Sequence, residues 1–247
     1  MKIFYALRDF FFPPICPGCK DVFRVKYGEQ NELCPACRRK WELQKSTICP
    51  LCGERFSDCR CSPRALESSG APTLIKLVPY CPNAAVSNNI ILYMKKRRDS
   101  RVFSFVAEEL LFEIERYISK TGLRRDDILI TYCPRKRKSV NEIGFDQARV
   151  LATCLSNISG IKCETLISRK ISFVKAQKKL DAKKREKSVK NAFALRKGVD
   201  LKGKTIVLLD DLVTTGATMG KCAALLKAAG ASLVVGACVA YTEKTCK

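Results

Sequence analysis

The run Ile206 to Met219, Ile-Val-Leu-Leu-Asp-Asp-Leu-Val-Thr-Thr-Gly-Ala-Thr-Met, constrains the fold more than any other stretch. Ile206 to Leu209 predicts a strand buried on both faces, the pattern of a parallel sheet. Asp210 and Asp211 stand where that strand is expected to end. A hydroxyl-rich turn follows, then a helical pattern with Cys222, Leu225, Leu226 and Ala229 on one face, closed by Gly230. Open α/β sheets bind ligands at the carboxyl ends of their strands. A turn that opens a helix offers free backbone N–H groups and the positive end of the helix dipole, which suits a phosphate. Gly216 lets the backbone approach that anion without a Cβ between them.

The acid pair would repel a phosphate, but carboxylates accept hydrogen bonds from neighbouring sugar hydroxyls, directly or near a divalent metal. A diol acceptor beside a phosphate cradle describes a ribose 5-phosphate site. It is not a Walker A loop, because no Gly-Lys-Ser/Thr follows. The run resembles the phosphoribosyl-pyrophosphate (PRPP) signature of type I phosphoribosyltransferases. The resemblance implies that Asp210 and Asp211 hold the ribose hydroxyls. It also implies that Thr214, Thr215, Gly216, Ala217 and Thr218 cradle the 5-phosphate.

Eight of the fifteen cysteines lie before residue 62, as Cys16-Pro-Gly-Cys19, Cys34-Pro-Ala-Cys37, Cys49-Pro-Leu-Cys52 and Cys59-Arg-Cys61. Paired knuckles of this kind converge four thiolates on one structural Zn²⁺. Chain-local pairing predicts one site from Cys16, Cys19, Cys34 and Cys37, and a second from Cys49, Cys52, Cys59 and Cys61. Closed four-thiolate sets leave no open position for a water, so both read as structural. With no histidine in the chain, any metal site must use cysteine or carboxylate.

The 247 residues suit one medium domain plus a small module. No run is long enough to span a membrane. Met1 to Phe12 is apolar but broken by Arg8-Asp9, and reads as a short amphipathic piece rather than a signal peptide. The expected location is therefore the cytoplasm, with no membrane insertion. Formal net charge is +22, of which +18 falls in residues 71–247. That surplus suits a polyanion, nucleic acid first. A generic lysine-rich surface is the other reading.

Ser62 to Pro72 is rich in Ser, Pro, Gly and Ala, and reads as a linker. The expected division is a double zinc ribbon over 1–64, a linker over 65–72 and an α/β domain over 73–247. Strands are predicted over Leu74–Tyr80, Asp127–Cys133, Ile161–Leu166 and Ala231–Ala240, with extended structure at Asn191–Leu195. Helices are predicted from Asn88 to the basic end Lys95-Lys96-Arg97-Arg98 and over Val102–Lys120, the latter stopped by Gly122, and a further one opens at Glu142 to Gln147. Strands alternating with helices predict a mostly parallel sheet flanked by helices. Pro134-Arg135-Lys136-Arg137-Lys138 follows a strand and is a candidate grip for pyrophosphate through Arg135 and Arg137. Lys170 to Lys190 is strongly basic and poor in apolar spacing; in isolation it reads as mobile or as a solvated helix, and opposite a phosphate loop as a lid or as part of a nucleic-acid track.

The whole chain resembles the ComF family, competence-associated phosphoribosyltransferase-like proteins with an N-terminal double zinc ribbon. The resemblance rests on the double four-cysteine arm, the Tyr80/Lys95 region, and Pro134 with Gly144-Phe145 and Gln147. It continues through Gln177-Lys178-Lys179-Leu180 with Arg185, Asn191-Ala192-Phe193, and Asp210 to Thr218. Two positions depart from the pattern: Ile143-Gly144-Phe145-Asp146-Gln147 stands for Arg-Gly-Phe-Asn-Gln, and Ser188 stands for asparagine. The resemblance implies a type I phosphoribosyltransferase-like fold, binding of PRPP with Mg²⁺, and Arg185 as a further substrate contact. It also implies assistance to single-stranded DNA uptake in natural transformation, beside an ATP-driven competence helicase. An alternative is a phosphoribosyltransferase in which Asp210 and Asp211 are catalytic and ribose 5-phosphate passes from PRPP to an unknown acceptor.

Overall fold

The computed structural model describes residues 13–23, 32–80, 85–170 and 192–242. Met1 to Phe12, most of the basic segment with Gln177 to Leu180, Arg185 and Ser188, and Asn191 lie outside these residues. In chain order the elements are α1 (Pro35–Lys45), α2 (Arg64–Glu67), β1 (Thr73–Pro79), α3 (Ala85–Lys96) and α4 (Ser100–Thr121). Next come β2 (Ile128–Tyr132), α5 (Arg137–Ile143), α6 (Gln147–Ser159), β3 (Ile167–Arg169) and β4 (Phe193–Leu195). The last are β5 (Thr205–Val213), α7 (Ala217–Ala228) and β6 (Leu233–Tyr241).

Four strands form one sheet in the order β1-β6-β5-β2, with every neighbouring pair parallel. Successive side chains of a strand point to opposite faces, and β5 divides its apolar run accordingly. Val207 and Leu209 join a cluster with Ile90, Phe103, Val106 and Leu110 of α3 and α4. Ile206 and Leu208 join the opposite cluster with Met219, Cys222 and Leu226 of α7. Both faces are covered, which is why the parallel strands are apolar throughout rather than alternating. β3 and β4 form a separate antiparallel pair.

Three local expectations shift. Ile161 to Leu166 runs beside β2 but makes only one ladder pair, Cys163 with Ile130. Hydroxyl contacts take over from the ladder: Leu166 N–H donates to Thr131 Oγ1 at 3.4 Å, and Tyr132 Oη lies 2.9 Å from Thr165 Oγ1. The basic loop after β2 turns into helix α5 at Arg137, and the following helix opens at Gln147, where Asp146 caps it by accepting from Arg149 N–H at 3.3 Å. Ser62 to Pro72 contains α2, because Leu66 there is fully buried in the α7 cluster.

The cysteine arm packs into the same core. Cys16, Leu33, Cys37 and Trp41 belong to the α3–α4 cluster, and the Trp41 ring stands 5.6 Å from that of Phe105. On α4, Glu109 accepts from Lys45 Nζ at 2.5 Å and from Trp41 Nε1 at 3.3 Å. One turn on, Glu113 meets Arg60 at 3.3 Å and Arg116 at 3.0 Å, and Arg116 reaches Asp58 at 2.6 Å. Glu113 is buried, so its two arginines are needed to offset the lost hydration.

α2 sits hard against α7 at Gly220, where a Cβ would come within 2.2 Å of the Ala65 carbonyl oxygen. Backbone cannot yield as a side chain does. Gly220→Ala is expected to destabilise the protein by about 1–3 kcal/mol through overpacking, read as a lower thermal midpoint. An unchanged midpoint would mean that α2 does not dock this closely.

Candidate functional site

β5 does not end at its apolar run. It continues through Asp210 and Asp211 to Val213, held by β6 through the pairs Asp210–Cys238, Leu212–Ala240 and Val213–Tyr241. On its other side β2 stops at Tyr132, opposite Leu209. The acid pair therefore has a strand on one flank and the basic loop of β2 on the other. Asp211 is buried, and its Oδ2 pairs with Arg135 Nη2 at 3.2 Å. Asp210 faces the α7 side, in a neighbourhood that includes the buried thiols Cys133, Cys222 and Cys238. Contact with Cys222, then burial, raises the Cys133 thiol, and burial raises Cys238. Asp210 is half-buried in the cleft wall, and desolvation there, then the charge of Asp211, pushes its carboxyl above the usual carboxylate range.

Beyond Val213 the chain turns outward. Thr214, Thr215, Ala217 and Thr218 are exposed, and α7 begins at Ala217. Its N-cap is Gly216, whose φ of +74° lies in the left-handed region. A Cβ there would also come 2.3 Å from Pro63 Cγ. Thr215 Oγ1 accepts from Ala217 N–H at 3.4 Å. No acidic residue stands in the first turn of α7. Exposed N–H groups at a helix start, with hydroxyls beside them, are suited to an anion.

A cleft of about 310 Å³ lies at the acid pair, and of the hydroxyl loop Thr218 lines it while Thr214, Thr215, Gly216 and Ala217 stand outside the lining. Asp210, Asp211 and Thr218 line it together with Lys95, Arg135, Lys136 and Arg169. Of the arginines expected at the site, Arg135 lines the cleft; Arg137 starts α5 as an exposed residue outside the lining; Arg185 lies outside the described residues. Lys136 belongs to the basic loop expected there, whereas Arg169 is a cleft residue that the motifs did not single out. Arg169 ends β3, whose pairing with β4 no local pattern announces. A larger cleft of about 910 Å³ opens at the amino ends of β2 and β5, and none of the acid-pair or loop residues line it.

The Gly144-Phe145-Asp146-Gln147 stretch sets the basic side of the cleft. Phe145 packs edge-on against Phe103 at 6.3 Å. Asp146 accepts from Arg135 backbone N–H at 2.9 Å. Gln147 donates to the Lys95 carbonyl at 3.0 Å. The aspartate that departs from the family pattern is therefore engaged in holding the Arg135 loop and capping α6.

The cysteines fall into the two expected sets, Cys16, Cys19, Cys34 and Cys37, and Cys49, Cys52, Cys59 and Cys61, each with its sulfurs within 4.8 Å of one another. Zn–S bonds of about 2.3 Å imply a tetrahedron with sulfurs about 3.8 Å apart, and Cys19 and Cys34 stand at 3.8 Å. Backbone N–H groups aim at the sulfurs: Cys34 N–H at Cys16, and Cys61 N–H at Cys59, both 3.3 Å. Burial, then the neighbouring sulfurs of Cys59 and Cys52, push the Cys61 thiol up to about 12. Such crowded thiols deprotonate together around a cation, so the donor sets fit structural zinc.

No helix among the described residues is long and apolar enough to cross a membrane. The phosphoribosyl transferase domain family matches residues 147–247, and the double zinc ribbon domain family matches residues 7–69. The DNA utilization protein YhgH of Shigella flexneri is 30% identical over 212 residues, spanning 85% of this chain and 90% of its own. Competence protein ComFC of Bacillus subtilis is 27% identical over 204 residues, spanning 80% of this chain and 78% of its own. The solved purine phosphoribosyltransferase of Pyrococcus horikoshii is 18% identical, with a TM-score of 0.36 over 56% of this chain and 74% of that one. That superposition is too loose to bear on the site. With both halves matched in their order, and a relative covered almost end to end, the chain belongs to the ComF family, a phosphoribosyltransferase-like domain preceded by a double zinc ribbon.

Proposed function

We propose that this protein binds PRPP in the cleft between β5, α7 and the β2 loop, and serves single-stranded DNA handling in natural transformation. Asp210 and Asp211 take the ribose hydroxyls, and Thr214, Thr215, Gly216, Ala217 and Thr218 take the 5-phosphate. The carrying observation is the juxtaposition itself: two carboxylates and four cations line one small cleft, beside an exposed helix start free of acidic side chains. Lys95, Arg135, Lys136 and Arg169 suit the pyrophosphate. Mg²⁺ arriving with PRPP supplies further neutralisation when bound.

The DNA role draws on two things. Curated relatives carry the names DNA utilization protein and competence protein, and residues 71–247 hold a formal excess of +18. A surface of that charge attracts a phosphate backbone without reading its sequence. This role belongs in the cytoplasm, beside an ATP-driven helicase. Transfer of the phosphoribosyl group to an acceptor is a second reading, favoured by the cations that line the cleft where pyrophosphate would leave.

Asp210→Ala with Asp211→Ala is expected to abolish PRPP binding in a calorimetric titration; retained affinity would mean that the ribose does not sit on the pair. Pyrophosphate release from PRPP with candidate acceptors distinguishes transfer from binding alone. Affinity for a single-stranded oligonucleotide should fall with salt, with a log–log slope of about −0.7 per phosphate contacted. Affinity indifferent to ionic strength would exclude backbone contact.

The raised carboxyl of Asp210 has a sign. A group that holds its proton more tightly when folded costs nothing below its unfolded value, and the cost grows as pH rises toward the folded value. Asp210→Asn should therefore raise the thermal midpoint near pH 7.5, with the gain vanishing toward about pH 4, while PRPP affinity drops. A lower midpoint at pH 7.5 would mean that the carboxylate is stabilising.

A further inference from the structure

A buried cation lies under the second cysteine cluster. Lys76 stands mid-strand in β1 and is fully buried. Its Nζ donates to the Cys61 carbonyl at 2.7 Å and lies 3.2 Å from Cys59 Sγ. The rings of Phe56 and Tyr241 flank it, with centroids 5.2 and 5.3 Å away. Among the described residues, no carboxylate is ion-paired with it; the salt bridges between the arm and α4 are built on Glu109, Glu113 and Asp58 instead.

Burying an ammonium without a compensating anion is expensive. One carbonyl and two ring faces offset only part of that cost. Four thiolates around Zn²⁺ carry a net charge of about −2, and Cys59 is one of the four. We propose that Lys76 is the outer-sphere cation of the second four-cysteine site. Its N–H···S bond to Cys59 offsets part of the excess negative charge and holds that metal against loss. The ligands of the site all come from the arm, but the sheet completes it. Both clusters take a backbone N–H, Cys16 from Cys34 and Cys59 from Cys61, but among the described residues only the second has an ammonium on a sulfur, so a Lys76 substitution separates the two sites.

Outer-sphere partners typically contribute about 10- to 100-fold to metal affinity. The full-length protein loaded with two equivalents of Zn²⁺ is challenged with excess chromogenic chelator, and Cys49→Ser identifies the phase that belongs to the second site. Lys76→Met is expected to speed release from the second site by about 10- to 100-fold and leave the first unchanged. Equal release from the second site in variant and wild type, or equal acceleration at both sites, overturns the proposal. Where Lys76→Met gives no folded protein, amine acetylation of the wild type with peptide mass spectrometry decides. Lys76 protected while both metals are bound and modified once the second is withdrawn supports the proposal; Lys76 still protected after that loss overturns it.

Discussion

A strand apolar on both faces has few places to put charge, and the stretch that outruns a neighbouring strand is one of them. β5 obeys that constraint. Ile206 to Leu209 are shared between two helical layers, and the carboxylates come only where β2 has stopped, while β5 runs on against β6 to Val213. The cover on both faces thus decides where the acid pair stands and what surrounds it. The α7 layer leaves Asp210 among thiols. The β2 edge leaves Asp211 beside a guanidinium. Two adjacent residues of one type acquire different electrostatic surroundings because a strand points them opposite ways.

Helix α4 serves two structures at once. One of its faces lies on the sheet; its acidic turns take hold of the arm through Trp41, Lys45 and Arg60. The first four-cysteine cluster contributes Cys16 and Cys37 to the main apolar cluster, and the second rests over Lys76 of β1. The arm is therefore docked by burial and by ion pairs, not merely joined by its peptide bond. Its folding and that of the sheet draw on shared side chains.

Much of the sheet was legible in advance, because its strands are long apolar runs and its helices carry clear stripes. Val102 to Lys120 is the plainest case: Phe103, Val106, Leu110 and Ile114 repeat at helical spacing and are all buried. The two cysteine sets were legible for a different reason, since thiolate chemistry leaves few pairings of knuckles close in sequence. What escaped depends on tertiary contact. Ile161 to Leu166 has strand-like residues but finds little ladder to join. Leu66 looks like a residue in a polar spacer until α7 covers it. Arg169 enters the cleft through a two-strand pairing with a distant segment. Lys76 reads as an interruption in an apolar strand, and its partner is seventeen residues upstream in another module.

The contact between Gly216 and Pro63 ties the hydroxyl loop to the last residues of the arm. Neither side has room for an added methyl group at that point. Exchange of arms between members of the family would therefore respect a seam that is not the obvious one. A graft cut just after Cys61 leaves the native proline and the Ala65 carbonyl against α7 and keeps the loop's wall. A graft that carries in a foreign 63–66 stretch rebuilds that wall, and with it the shape of the turn, without touching any residue of the cleft.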